Sequence, residues 1–481
     1  MAGLKQAFYY ATGIVMMKGI SLIMLPYLTH KLTLADYGIL ESLILIADIG
    51  TIVFSFGIVE AMYRYVGGAE GKQRQRLISN CFTLSVIVSV IGGTLLLVTA
   101  PLLSALLSAN FTTWQLVLVL IPTLLDGVIS IPLTLLRMNQ MAKRFCLLNV
   151  TKALVHAFIT FALIELGFGI NGVLIASAIT SVGLTLALLR FQYQQMGRFG
   201  ELLFSRQLLS FGLPVLIGGV SLYAVQGLDK WFVTHYLGVE TLAQYAVATK
   251  FSLILALLIQ PYALWWFPTR IQMLQQSDGP TKCAQQAIIG VNFGIMAASL
   301  MALSIPTLVN LLLPEQYQNV SIIALALLAI TVVKNAGDYM NLGCFSGQST
   351  QAQMWVQCGC AIAAVLGYVV MTPHYGLNGI LSILGGAYAL RLTLLYVISQ
   401  SKVKLPYQHR HWFTCLLLSV AMLGFNFLLS QLLHLELASV AEIAIITLSS
   451  VTLVSLYFLL GFIPVPPRIL SAIQSRRALW H

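Results

Sequence analysis

The sequence contains few charged residues: Asp, Glu, Lys and Arg together make up 9% of its 481 residues. A soluble globular protein carries about 25% charged residues, so this composition excludes an ordinary soluble domain. Apolar runs of about 20 residues follow one another along the chain, and each is long enough to cross a bilayer as a helix. These runs are too long and too uniformly apolar for barrel strands, which leaves an all-α integral membrane protein.

The sequence also lacks what an enzyme or a metalloprotein would require. No polar stretch between the apolar runs is long enough for a soluble domain, and the predicted outer loop 107–113 contains no charge. None of the seven cysteines falls in a predicted outer loop, and the Cys358-x-Cys360 pair lacks the spacing of a metal site. We therefore expect no catalytic residues, no metal and no disulfide. A membrane glycan polymerase, the alternative from another class, would need a catalytic carboxylate and a larger outer loop.

About fourteen apolar runs qualify as membrane-spanning helices. Their approximate limits are 8–29, 38–60, 78–106, 114–136, 146–167, 170–191, 208–236, 243–266, 285–312, 319–344, 353–372, 377–399, 412–433 and 440–462. The first run carries Lys18 and is followed by many more, so we expect a span rather than a cleaved signal peptide.

The distribution of basic residues predicts the orientation in the membrane. The two termini and every second loop between the predicted spans together hold 19 of the 26 Lys and Arg. The remaining loops, on the other side of the membrane, hold only Lys31. This positive-inside pattern places both termini in the cytoplasm of a bacterial cell, with the spans in its cytoplasmic membrane. It also accounts for the net charge of +11 without a nucleic-acid partner.

The sequence repeats itself at an offset of 205 to 208 residues. The segment LTHKLTLADYGI at 28–39 recurs within VTHYLGVETLAQYAV at 233–247, and GINGVL at 169–174 recurs as GLNGIL at 376–381. Because this offset equals six spans, both copies run in the same direction, as in transporters built from parallel repeats. The pattern predicts two pseudo-symmetric six-helix bundles that work by alternating access, and a monomer already contains both.

The repeat sets the predicted boundaries. They are an N-terminal bundle at 1–192, a cytoplasmic linker at 193–207, a C-terminal bundle at 208–400, and two additional helices with a basic cytoplasmic tail at 401–481.

Charged residues within or beside the spans are the candidate functional residues, because a charge at a helix centre costs roughly 2.5–3.5 kcal/mol on insertion scales. The cations predicted to bind substrate are Lys18, Lys152, Lys250, Lys334, Arg391, Arg64 and Arg270. The acids predicted to couple an ion or to gate are Glu41, Asp48, Asp126, Asp229 and Asp338. Two interpretations stay open: buried ion pairs between helices, or a water-filled cavity lined with positive charge. The spacing of Lys334 and Asp338 favours a pair along one helix.

A cationic cavity implies an anionic substrate, and membrane lipids surround the chain. Lys offers phosphate a point charge and Arg offers it a bidentate fork, so a lipid-linked phosphate is the predicted cargo. The predicted coupling ion is H⁺ or Na⁺, with no other cofactor.

Three segments carry a family resemblance: LPYLTHKLTLADYGI at 25–39, FGIVEAMYRYVG at 56–67, and the segment 211–250 with its Gly-Leu-Pro helix start. They resemble the polysaccharide flippases (Wzx-type) of the multidrug/oligosaccharidyl-lipid/polysaccharide (MOP) exporter superfamily, which has the fold of the multidrug and toxin extrusion (MATE) transporters. The resemblance implies transfer of an undecaprenyl-pyrophosphate-linked oligosaccharide, such as an O-antigen unit of lipopolysaccharide, from the cytoplasmic to the outer leaflet. It also implies a cationic lumen, ion-gradient coupling as in an antiporter, and a polysaccharide polymerase and a chain-length regulator as partners.

Two related transporters are alternatives. A lipid II flippase shares the plan of fourteen spans, but its motifs fit less well. A MATE-type cation or drug exporter should have a cavity dominated by acids, whereas the deep cations here roughly match the acids in number.

Overall fold

The structure, a computed structural model, describes residues 2–107, 111–345, 351–433 and 437–464. Every regular element in these ranges is helical, so the predicted all-α fold is confirmed. The α-helices are α1 (Ala2–Lys31), α2 (Leu34–Ser55), α3 (Ile58–Val66), α4 (Gly71–Leu107), α5 (Thr113–Met138), α6 (Ala142–Glu165), α7 (Gly169–Met196), α8 (Ser205–Gln226), α9 (Leu228–Leu237), α10 (Val239–Leu274), α11 (Gly279–Leu312), α12 (Val320–Tyr339), α13 (Gln351–Lys402), α14 (His409–Leu432) and α15 (Val440–Leu459). Short 3₁₀ helices occupy Glu315–Tyr317 and Leu342–Phe345.

The helices are long and apolar enough for a multi-pass membrane protein. By length and composition, 13 helical segments of the described chain could cross a membrane. One of them is α13, whose 52 residues bend at Gly376, where φ is 55° and ψ is −133°. At 1.5 Å per residue α13 is about 78 Å long, enough for two crossings of a core of about 30 Å. The predicted spans 353–372 and 377–399 both lie in it, which accounts for all fourteen.

Large apolar side chains cover much of the surface, as expected for helices that face lipid. Ile23 is 76% exposed, Val98 73% and Phe158 72%. In water such surfaces would drive association, because soluble monomers rarely expose large apolar patches. In a bilayer they cost nothing, so these outward faces agree with the membrane assignment.

Two predicted spans are broken helices rather than continuous ones. Span 38–60 divides into α2 and α3 at Phe56 and Gly57, which both adopt left-handed backbone angles, with φ of 43° and 65°. Span 208–236 divides into α8 and α9 at Gly227. A Cβ atom at Gly227 would lie 2.5 Å from the ring of Tyr223, so a side chain at this break would collide with the preceding turn.

The first glycine of the repeated G-x-N-G motif has a positive φ in both copies. Gly169 begins α7 with φ of 52°, and Gly376 makes the bend of α13 with φ of 55°, in the region where glycine carries no steric penalty. Three residues later, a Cβ atom at Gly172 would lie 3.0 Å from a side chain of α6. One at Gly379 would lie 2.8 Å from a carbonyl of the preceding part of α13. In each copy one glycine makes the turn and the next permits close helix packing.

The helices form two compact units. Unit 1 comprises Met1–Ala246 and Ala361–Ile380, and unit 2 comprises Val247–Cys360 and Leu381–His481. One hydrophobic cluster of unit 1 gathers residues of α3, α4, α5, α7 and α8. The boundaries drawn from the sequence repeat stay a prediction. The predicted basic tail beyond residue 464 lies outside the described residues.

The predicted linker 193–207 is shorter in the structure, because helices of unit 1 take up both of its ends. α7 continues to residue 196 and α8 begins at residue 205. The short connection lies against α4, where the Gly200 N–H donates to Thr83 Oγ1 at 3.1 Å and the Ser79 hydroxyl donates to the carbonyl of Arg198. Backbone groups of the connection are therefore hydrogen-bonded to side chains of a neighbouring helix.

Candidate functional site

Near the middle of two neighbouring helices of unit 1, an acid and a cation form an open ion pair. The Nζ atom of Lys152 on α6 lies 3.6 Å from Oδ1 of Asp126 on α5, and their side chains are 27% and 44% exposed. The helix α6 begins at Ala142, four residues earlier than predicted, so Lys152 lies ten residues inside it. This depth makes escape of the ammonium to the membrane surface harder than the sequence indicated.

Lys18 lies at the same level as this pair, on α1. Two contacts between α1 and α6 show that these helices run parallel. A Cβ atom at Gly13 would contact Cys146, and the ring of Tyr27 packs on that of Phe161. In both contacts the residue numbers differ by 133 or 134. The same offset brings Lys18 to the level of residues 151 and 152, and its side chain is exposed. Lys18 and Lys152, both predicted substrate-binding cations, therefore share one depth in unit 1.

The other predicted acids of unit 1 lie on α2 and α9. Glu41 is 2% exposed and Asp48, seven residues later on α2, is exposed. Asp229, in the first turn of α9, is 4% exposed, and its Oδ2 accepts a hydrogen bond of 2.5 Å from the Tyr245 hydroxyl. Its other oxygen, Oδ1, is buried without a hydrogen-bond partner in the described chain. A buried carboxyl in this state is a candidate for binding a proton.

Tyr223 connects these acids to the break between α8 and α9. Its hydroxyl accepts a hydrogen bond of 2.8 Å from Trp231 Nε1 across the break, and it approaches the carbonyl of Leu45 on α2 at 3.4 Å. Tyr223 also interacts electrostatically with both Asp48 and Asp229. Tyr223 therefore lies near two of the predicted acids, at an interrupted helix.

In unit 2 the predicted residues Asp338 and Arg391 form a tight ion pair. Arg391 Nη2 lies 2.7 Å from Asp338 Oδ1, and Arg391 Nε donates to Gln357 Oε1 at 3.0 Å. The Arg391 side chain is only 10% exposed. The pair joins α12 to α13, so the ion-pair interpretation left open by the sequence describes Arg391 best.

The predicted pairing of Lys334 with Asp338 along one helix is wrong. In the described chain Asp338 pairs with Arg391, because α12 turns its carboxylate towards α13. The ammonium of Lys334 lies 5.7 Å from the ring centroid of Tyr388 and interacts with Asp338 only at longer range. Lys334 thus lies outside any tight ion pair of the described chain, whereas Lys250 on α10 is engaged in contacts of its own.

The two arginines near span ends differ in accessibility. Arg64 on α3 is exposed, and its guanidinium lies 5.1 Å from the ring centroid of Phe211. Arg270 on α10 is 8% exposed, lies 4.4 Å from the ring centroid of Phe345, and donates to Asn341 Oδ1 at 3.0 Å. Arg270 is therefore held by its neighbours. Of these two arginines, Arg64 is the one that an anion in solution could reach.

Sequence reasoning missed several polar partners. Gln357 gives no signal in the sequence, and Tyr245 stands out only as part of the repeat, since the fold alone brings these residues to Arg391 and Asp229. His156 could have been found, because it follows Lys152 by four residues on α6 and so lies on the same face. Within the described ranges, no group of three His, Cys, Asp or Glu side chains could hold a metal ion.

A sequence profile of the family described as "Polysaccharide biosynthesis protein" matches residues 4–274, which is more than half of the chain. The chain belongs to this family, which confirms the resemblance drawn from its motifs. A sequence comparison with curated proteins gives no match.

Solved structures with the same fold are transporters of one superfamily. A lipid II flippase, MurJ, in an inward closed conformation matches with a TM-score of 0.74 at 12% identity, over 94% of this chain and 98% of that one. A variant of the Vibrio cholerae MATE transporter VcmN matches with a TM-score of 0.57 at 14% identity, over 83% and 95%. A MOP superfamily transporter from Pyrococcus furiosus matches with a TM-score of 0.52 at 14% identity, over 82% and 95%. At these identities the likeness shows the fold.

Proposed function

We propose that the protein is a flippase that moves an undecaprenyl-pyrophosphate-linked oligosaccharide, such as an O-antigen repeat unit, from the cytoplasmic to the outer leaflet. The observation that carries the proposal is the presence of Lys152 and Lys334 deep in spanning helices, neither in a tight ion pair. A lysine at such depth is costly and marks a substrate or ion pathway more often than a packing site. Membership of a polysaccharide biosynthesis family supports a glycan-linked anion as the cargo.

The buried acids support coupling to an ion gradient in the same proposal. Asp229 has one buried oxygen without a partner, so a proton or Na⁺ would reduce the cost of its burial. The carrier would work by alternating access, as transporters built from two repeats do. We infer no chemical step and therefore no enzyme activity. We place the monomer in the bacterial cytoplasmic membrane with cytoplasmic termini, beside a polymerase and a chain-length regulator.

The direct test is a deletion strain of the native host. We expect surface polysaccharide to disappear while polyprenyl-pyrophosphate-linked oligosaccharide accumulates in membrane extracts, and the wild-type gene should reverse both effects. Accumulation of lipid II with cell lysis would instead identify the peptidoglycan precursor as cargo. Unchanged glycan together with retention of cationic dyes would refute the proposal in favour of a drug exporter.

A further inference from the structure

His156 is a histidine inside the spanning helix α6 of unit 1. It lies fourteen residues from the start of α6, is partly buried, and has no hydrogen-bond partner in the described chain. It follows Lys152 by one helical turn and interacts with it electrostatically. Two groups able to donate to an anion thus stand side by side on one helix face.

Among the described residues, the surroundings of His156 contain one acid at this level. The helices packed against α6 are α1, α5 and α7. From α5 comes Asp126, the partner of Lys152, and from α1 comes Lys18 at the same level. α7 has no ionisable side chain between residues 169 and 189, and the remaining charges of α6 lie at its two ends. The local balance is two lysines against one carboxylate, before His156 binds any proton.

The Asp126–Lys152 pair has the geometry of a pair that opens. Its N–O distance is 3.6 Å with both side chains partly exposed, whereas Arg391 and Asp338 lie at 2.7 Å with Arg391 nearly covered. A charge-assisted hydrogen bond of full strength is shorter, about 2.7–2.9 Å. Exposed pairs contribute about 1 kcal/mol or less, so a better anion could displace this carboxylate at small cost.

We propose that Lys152 and His156 form a binding site for a phosphate-type dianion, which displaces Asp126 from Lys152 while His156 takes up a proton. A proton on His156 is repelled by Lys152 and attracted by the bound anion, so anion and proton bind together. The proposal rests on the proposed function, because the expected cargo carries a pyrophosphate. It makes His156 a substrate-binding residue and Asp126 the resting counter-ion of the site.

The test measures anion binding to the purified full-length protein in detergent, with sulfate as the main probe. Sulfate keeps its charge between about pH 6 and about pH 8, on either side of the ordinary titration range of histidine. We expect the wild type to bind sulfate about fivefold to tenfold more tightly at the lower pH, since one coupled proton can contribute up to about tenfold per pH unit. Inorganic pyrophosphate, used as a second probe, should compete with sulfate.

Two variants separate the roles of the acid and the imidazole. His156→Gln should lose the pH dependence of sulfate binding, and the matched control His374→Gln, an exposed histidine with no contact to this site, should keep it. Asp126→Asn should bind sulfate up to about fivefold more tightly at both pH values, because the competing carboxylate, which contributes about 1 kcal/mol or less, is gone. Monodisperse elution and an unchanged unfolding temperature show that each variant is folded.

Three results would overturn the inference: a wild type that binds no sulfate, a His156→Gln variant with the wild-type pH dependence, or an Asp126→Asn variant with unchanged affinity. None of these measurements involves a glycan or flipping. If sulfate binds as expected but the deletion strain accumulates no lipid-linked oligosaccharide, the anion site stands and the assigned cargo is wrong. If sulfate does not bind but the deletion strain accumulates lipid-linked oligosaccharide, the anion site is refuted and the flippase function stands.

Discussion

The two ion pairs inside the helices should contribute very differently to stability. Removing one partner of a buried pair costs about 3–5 kcal/mol in soluble proteins, because the other charge is left uncompensated. Asp338→Ala would leave Arg391 buried, but Gln357 would still accept from its Nε, and the Asp338 side chain is 35% exposed. We therefore expect a loss near or below the lower end of that range, about 2–3 kcal/mol.

The Asp126–Lys152 pair supplies a matched comparison within the same protein. It also joins two helices at mid-depth, but at 3.6 Å and with both side chains open. Pairs of this kind contribute about 0.2–1 kcal/mol. A double-mutant cycle on each pair, with both single alanine variants and the double variant, removes effects that do not come from the interaction itself.

The assay is thermal unfolding of the purified chain in detergent, followed by the fraction that still elutes as a monodisperse peak. We expect Asp338→Ala and Arg391→Ala to lower the unfolding temperature by about 5 °C and to reduce abundance in the membrane. The coupling energy should be about 2 kcal/mol for this pair and below about 1 kcal/mol for Asp126 with Lys152. Equal coupling energies in the two cycles would refute the reasoning that burial and distance decide which pair is structural.

Three further substitutions test single features. Gly376→Ala should cost about 1–2 kcal/mol because its φ is 55°, whereas Gly386→Ala in the same helix, with open space around it, should be neutral in the same unfolding assay. Tyr245→Phe should destabilise the protein by about 1–3 kcal/mol by removing the donor to Asp229, and unchanged stability would contradict the observed bond. Lys334→Gln should lower surface polysaccharide on immunoblots at unchanged protein abundance, and a parallel loss of protein would assign Lys334 to packing.

The spans were predictable because span length and hydropathy are properties of short segments. An apolar run must become a helix in lipid, where every backbone group needs a partner within the segment. The repeat was readable for a related reason, since Gly169 and Gly376 occupy positions where the backbone requires left-handed angles. The spans and the positive-φ glycines are therefore determined by stretches of about 20 residues or fewer.

The breaks and the pairings were not predictable because they depend on neighbouring helices. Gly227 interrupts a predicted span only where the ring of Tyr223 fills the space beside it, and an isolated glycine is common in spanning helices. The spacing of Lys334 and Asp338 is correct for a pair, yet the rotation of α12 gives the carboxylate to Arg391. The rotation of a helix about its axis depends on packing over its whole length. The spacing of two residues in the sequence therefore does not predict which neighbouring helix they face.

The repeat places opposite charges at corresponding positions. At the offset of 208 residues, Asp126 on α5 corresponds to Lys334 on α12. Asp126 is the loosely held partner of a lysine from the next helix, whereas Lys334 has an aromatic neighbour, and the acid of α12 stands four residues later in a tight pair. At these corresponding positions the two copies therefore differ in electrostatics. Substitutions at these two corresponding positions should therefore differ in effect, because one removes the partner of a lysine and the other removes a lysine that has no close acid in the described chain.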